Sequence, residues 1–159
     1  MARALHWHHP AALIATCGGI GNIPFAPGTW GSLLALPLTW LVRGYAGAEA
    51  VAAVALLIFV AGWWAAMRYI AATRREDPGS IVIDEVAAQM LVLLPERRDL
   101  LAYGAGFLLF RLFDIVKPWP VSWADRTVKG GFGTMLDDLL AAIYAGALLY
   151  VFMHVMGRR

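Results

Sequence analysis

The chain has 159 residues, enough for one compact domain, with 60% hydrophobic residues, 15% charged residues and a formal net charge of +2. Soluble domains run at roughly 45–50% apolar and about 25% charged, so this composition favours a membrane-embedded protein. The small charge, with no basic stripe interleaved with aromatics, argues against a nucleic-acid binder, and the lone Cys17 excludes an internal disulfide or a Cys-rich zinc site.

Arg3 ahead of the apolar stretch 11–17 faintly imitates a signal peptide. His6, His8, His9 and Pro10 interrupt it, and the stretch is short, so that reading is rejected. Residues 16–32 hold glycines, Pro24, Pro27, Asn22, Thr29 and Ser32, the pattern of an irregular loop feeding a helix. Asn22, Thr29 and Ser32 could support a polar headgroup there; a plain structural turn fits equally well.

Uncharged runs follow at 32–42, 50–67, 86–95, 100–110 and 139–157, the fourth leading into the charged segment 111–117. About 20 apolar residues cross a bilayer as a helix, which makes 50–67 and 139–157 spanning candidates. Ala, Leu and Met dominate these runs, and breakers such as Gly44, Gly47, Pro95 and Pro118 fall between them. The expectation is an all-α, single-domain helical bundle over residues 1–159, with several membrane-embedded or membrane-spanning apolar helices. Trp63, Trp64 and Tyr69 end the second run as an interfacial belt or as core. If all five runs cross, every polar knot lies on one membrane face. That face carries Arg3, Arg68, Arg74, Arg75, Arg111, Lys117, Arg126 and Lys129, against Arg43, Arg97, Arg98, Arg158 and Arg159 opposite, and the excess marks it as cytoplasmic.

Six of the eleven acids gather in three knots. In 81–89, Ser80 is expected to cap a helix whose first turn holds Asp84 and Glu85. Acids favour a helix N-terminus for its dipole alone, but an apolar flank makes Asp84 less comfortable. In the second knot Arg111, Asp114 and Lys117 are spaced i, i+3, i+6, and Pro118 ends the helix. An ion-pair ladder worth about 0.2–0.5 kcal/mol per pair does not explain three charges in a membrane helix. In the third, with Asp125 upstream, Lys129-Gly130-Gly131-Phe132-Gly133 leads to Thr134 as the expected N-cap and Asp137 at N3. Capping accounts for Asp137 and leaves Asp138, Lys129 and Arg126 unexplained. A glycine-rich entry to a helix suits an anion, and converging carboxylates suit a hard cation such as Mg²⁺. No histidine lies in a knot, and no Cys-x5-Arg, Asp-x-Asp phosphatase or Walker pattern occurs, which leaves metal-assisted chemistry.

Together these residues resemble the phosphatidylglycerophosphatase A family. The match runs through 21–32, Ile83-Asp84-Glu85-Val86, Phe110–Asp114 into Lys117-Pro118-Trp119-Pro120, Asp125-Arg126, and Gly130-Gly131 through Gly133 to Asp137-Asp138. Ala88 and Ala142 depart from the expected glycines and offer no functional group. The resemblance implies a small, mostly helical, Mg²⁺-dependent phosphatase of the bacterial cytoplasmic (inner) membrane, its active site facing the cytoplasm. It would convert phosphatidylglycerophosphate to phosphatidylglycerol and inorganic phosphate. Its partners would be that phospholipid and the bilayer, with no nucleic acid.

On this basis Asp84, Glu85, Asp114, Asp137 and Asp138 are assigned as catalytic and metal carboxylates. Arg111, Lys117, Arg126, Lys129, Gly130 and Gly131 are assigned to the substrate phosphate. Five acids exceed what one Mg²⁺ takes from a protein, so either two ions bind or some acids orient water or act as base. Water is the expected nucleophile, with a phospho-aspartate as runner-up. A small cation-coupled membrane transporter or channel subunit is the alternative from another class, and a non-catalytic lipid-binding protein the third.

Overall fold

A computed structural model describes residues 9–75 and 78–158. Arg3, His6, His8 and Arg159, used in the readings above, lie outside the described residues. Helices α1 (Pro10–Ala15), α2 (Pro27–Thr73), α3 (Ile83–Val92), α4 (Leu100–Val116), α5 (Val121–Thr127) and α6 (Gly130–Val155) account for most of the chain, with a 3-10 turn at Ile20–Asn22 and no strand among the described residues.

The longest helix is two helices. α2 breaks at Gly47, whose φ of 80° and ψ of −170° are non-helical. Gly28 packs against Glu85 and Gly62 against Ile83, two residues away. At about 1.5 Å per residue a straight helix would hold those glycines about 50 Å apart. Arms 27–46 and 48–73 therefore run antiparallel, each about 30 Å or longer and so long enough to cross a bilayer. Sequence reading placed breakers at Gly44 and Gly47, but the reversal needs only Gly47, because a residue without Cβ can take this backbone. A Cβ at Gly47 would meet open space, so Gly47→Ala tests backbone strain alone. It should cost about 1–3 kcal/mol, read as a lower midpoint of thermal unfolding in detergent.

α3 lies inside the bundle against α2, α4 and α6. Eight of its residues are buried, among them Val86, Met90 and Val92. Glycines allow the close crossings: Gly62 meets Ile83 and Met135, and Gly106 meets Leu93 and Leu149. Outward faces are apolar, with Leu56, Leu57 and Val60 exposed on α2 and Leu148, Val151 and Val155 on α6. These two helices are, among the described residues, long and apolar enough to cross a membrane.

Two helix starts differ from expectation. Ser80 does not cap α3; Val82 holds the N-cap position, and its N–H donates to the Ala15 carbonyl at 2.9 Å, which delays the helix. The Ser80 hydroxyl instead meets the Tyr69 hydroxyl at 3.0 Å. Thr134 does not cap α6 either. That helix begins at Gly130 behind Lys129, and the Thr134 hydroxyl turns back to the Gly130 carbonyl at 3.3 Å. The cause is close approach: a Cβ on Gly133 would stand 1.9 Å from the Val128 carbonyl oxygen, so only glycine can be wound into the helix there.

All three acidic knots reach one end of the bundle, where α2 begins and ends, α3 and α6 begin, and α4 ends. The opposite end is closed by Arg43, which donates to the Leu94 carbonyl, by Arg98 over the Trp40 ring, and by the Arg158–Asp99 ion pair at 2.7 Å.

Candidate active site

The start of α2, the first turns of α3 and α6, the end of α4 and α5 enclose a cavity of about 390 Å³. None of the three helix N-termini has a side-chain cap. Their first-turn N–H groups and positive dipole ends therefore make the cavity attractive to anions. This is where acidic side chains gain most from being placed.

Three of the five assigned carboxylates converge. Asp84 and Glu85 from α3 and Asp138 from α6 each present a ligand atom, all within 4.8 Å of one another. Asp84 and Asp138 are buried, and Glu85 Oε2 and Asp138 Oδ2 receive no hydrogen bond among the described residues. Burial pushes the Asp84 and Glu85 carboxyls above the ordinary range, and the Asp84 charge adds to the effect on Glu85. Buried carboxylates this close repel each other unless protonated or bridged by a cation. Carboxylate oxygens from three acids, two of them orphaned, are the donor set a hard divalent ion takes.

The other two already have cations. Asp114 pairs with Arg111 at 2.5 Å along α4. Asp137 lies 2.7 Å from the Lys117 ammonium, which also holds Asp125 at 2.5 Å. The expected ladder stops at Asp114 because Lys117 leaves the helix in a left-handed conformation, φ 47°, and turns toward α5 and α6. Burial alone would lower the Lys117 pKa, but hydrogen bonds to Asp125 and Asp137 raise it, so it stays an ammonium. Lys117 in turn holds the Asp125 carboxyl below its usual range. Lys117→Met would leave two acids without their shared cation. Given their partial exposure, it should cost about 1–2 kcal/mol in detergent unfolding, with Lys117→Arg recovering most of it.

Arg111 also lines the cavity, its Nε buried with no hydrogen-bond partner among the described residues. Lys129 is exposed at the rim, donating to the Asp125 carbonyl at 3.3 Å. Gly130 lines the wall, whereas Gly131 packs against Met67. Arg126 is exposed on α5 and does not line the cavity. Asn22 is exposed, Thr29 half-buried, and the buried Ser32 hydroxyl donates to the Gly28 carbonyl at 2.9 Å; none of the three lines the cavity.

Asp125 and Gly28 are among the cavity residues that carry no role in the sequence assignment. Asp125 is seen there only as part of an acidic knot, and the structure makes it the second partner of Lys117. Gly28 follows Pro27, a first-turn helix signal that could have marked it. A Cβ on Gly28 would stand 2.2 Å from Glu85 Oε1 and 3.1 Å from Arg111 Nη1, so the glycine makes room for both.

The family model described as Phosphatidylglycerophosphatase A matches residues 13–153. A phosphatidylglycerophosphatase A of Escherichia coli is 35% identical, covering 93% of this chain and 84% of its own length. The protein of that name from Haemophilus influenzae is 37% identical, covering 93% and 91%. A Bacteroides thetaiotaomicron protein, provisionally named a phosphatidylinositol-3-phosphatase, is 41% identical, covering 91% and 94%. No solved structure matches. Matched over nearly its whole length, with its acidic knots gathered at one cavity, the chain belongs to the phosphatidylglycerophosphatase A family.

Proposed function

We propose that the protein is a Mg²⁺-dependent lipid phosphatase. It removes the terminal phosphate of phosphatidylglycerophosphate, leaving phosphatidylglycerol, at the bacterial cytoplasmic membrane with its cavity facing the cytoplasm. As a member of its family it is a hydrolase of a phosphate monoester. The observation that carries the reading is the triad Asp84, Glu85 and Asp138, with two orphaned carboxylate oxygens, beside Arg111 and under three uncapped helix N-termini.

Each group then has a task. Asp84, Glu85 and Asp138 would hold the ion, which when bound supplies positive charge for the phosphoryl oxygens. Arg111, Lys129 and the first-turn N–H groups of α2 and α6 bind the phosphate and neutralise charge as the ester breaks. Asp114 orients Arg111. Asp137 and Asp125 hold Lys117, which joins α5 to α6 at the cavity wall. Water attacks phosphorus and the glycerol oxygen leaves; trapping a phosphorylated carboxylate from labelled substrate would overturn this order.

The acyl chains stay in the bilayer beside the apolar outer faces of α2 and α6, so no deep tunnel is needed. Arg68, Arg74, Arg75, Arg126 and Lys129 are exposed at the cavity end, which supports the cytoplasmic orientation. A transport role is disfavoured because the carboxylates sit at helix ends rather than at midspan.

The test is phosphate release in detergent micelles, with and without Mg²⁺. Phosphatidylglycerophosphate and phosphatidylinositol 3-phosphate are compared because the Bacteroides relative bears the second activity in its name. Release from the first substrate that requires Mg²⁺ is expected. Faster release from the second would move the substrate assignment, and no release from well-folded protein would overturn the phosphatase reading.

A further inference from the structure

α5 and the residues before it have two opposed faces. Val121 and Ala124 are fully buried, and α5 packs on α6. Asp125 turns to the cavity and its Lys117 partner. The other face carries Trp119, 76% exposed, Trp123, 50% exposed, and Arg126, also exposed. Trp119 is anchored: its backbone carbonyl accepts a hydrogen bond from the Tyr144 hydroxyl at 2.9 Å. Folding therefore holds two large indoles outward at the cavity end, where they stay exposed among the described residues.

We propose that the Trp119–Arg126 segment is a bilayer-docking element that seats the cavity mouth at headgroup level and so favours substrate embedded in a membrane. Its occupant is the headgroup zone of an anionic bilayer. Two observations select lipid over a protein partner. The first is chemistry. Indole has an apolar body and a polar N–H, which suits the membrane–water boundary, and the exposed cations Arg126 and Lys129 beside it suit anionic lipid. The second is continuity. The Trp119 carbonyl is held by Tyr144 of α6, and α6 is one of the helices long enough to cross a membrane, with Ile143, Leu148 and Val151 exposed along it. Phe25 and Trp30 are likewise exposed at the start of α2, another helix whose start lines the cavity.

The segment does more than hold the protein down. Asp125 lies on the same helix as Trp123 and is tied through Lys117 to Asp137 of α6. Seating the indoles in the headgroup zone therefore sets the depth of the cavity wall that Asp125 and Lys117 form. A substrate already at that depth reaches the phosphate site by moving in the plane of the bilayer.

The kinetic arm of the test rests on the phosphatase reading; the fluorescence arm does not. Wild type, Trp119→Ala/Trp123→Ala and Trp119→Phe/Trp123→Phe are reconstituted in vesicles containing anionic lipid. Turnover is measured for long-chain phosphatidylglycerophosphate in the vesicle and for a short-chain, water-soluble analogue. The Ala pair should raise KM for the embedded substrate about tenfold with kcat and the soluble analogue unchanged, and the Phe pair should fall between. Equal loss on both substrates, or no loss on either, overturns the proposal. In parallel, indole quenching by lipids spin-labelled near the headgroup is compared between wild type and the Phe pair. Loss of a large share of the quenching supports docking. Unchanged quenching means the indoles are away from lipid and overturns it, whether or not either substrate is hydrolysed.

Discussion

Asp138→Asn should abolish Mg²⁺-dependent phosphate release while leaving the helical bundle folded. Asp138 is 4% exposed, and its Oδ2 receives no hydrogen bond among the described residues. Asn is nearly isosteric, so no cavity forms and no backbone is disturbed. What disappears is one of three carboxylates placed within 4.8 Å of one another. Loss of a group that only orients a metal ligand typically costs 10–100-fold, so loss of a ligand should exceed about 10²-fold in turnover. The sign on stability is opposite. Without metal, Asp138 faces Asp84 and Glu85, and removing a buried like charge relieves repulsion. The variant should therefore unfold at the same temperature as wild type or higher in chelator, and Mg²⁺ should raise the unfolding temperature of wild type, by binding the native state, but not that of the variant. Phosphate release together with thermal unfolding in the two conditions checks this. Full activity in Asp138→Asn would remove that acid from the metal assignment.

The second large effect is expected from adding one methyl group. In Gly28→Ala the new Cβ would stand 2.2 Å from Glu85 Oε1 and 3.1 Å from Arg111 Nη1. Glu85 is enclosed at this end of α3, so its carboxylate leaves the triad or the start of α2 is displaced. Overpacking of this kind costs about 1–3 kcal/mol. Either relaxation separates Glu85 from Asp84 and Asp138, and activity should fall by about 10²-fold, a loss comparable to removing a preorganised site group. Gly104→Ala is the control: it lies within α4, and its Cβ would meet nothing within 4 Å. It should leave activity intact and raise stability by up to about 1 kcal/mol, since Ala is the better helix former. Equal behaviour of the two variants in activity assays would show that the contact between α2 and Glu85 is not needed for turnover.

Much of the fold was legible because bilayer-length helices announce themselves locally. The run 50–67 lies within α2, 139–157 follows α6 to its end at Val155 and two residues past it, and 100–110 continues into 111–116 as α4. Pro118 stops that helix where the backbone rule for a residue before proline says it should. The gathering of the polar knots at one end followed from alternating the direction of successive segments. Local signals misled where a glycine served packing instead of breaking a helix. Gly133 reads as loop but is helical because the Val128 carbonyl occupies the space a side chain would need.

The amino-acid sequence by itself determined the helical class, the apolar outer surface, the family and which end of the bundle is polar. Composition, breakers and charge spacing are properties of single segments, and membrane-length helices are stable choices segment by segment. Only the tertiary structure decided which acids meet. Asp84 and Glu85 come from α3 and Asp138 from α6, and their closeness depends on how those helices cross. Asp114 and Asp137 carry the same charge in the same knots, yet Arg111 and Lys117 neutralise them. For Lys117 the deciding event is one left-handed residue at the end of α4, which aims the ammonium at Asp125 and Asp137. Spacing along a chain records which side chains share a helix face. Whether a carboxylate is left for a metal depends on partners brought from other helices by packing.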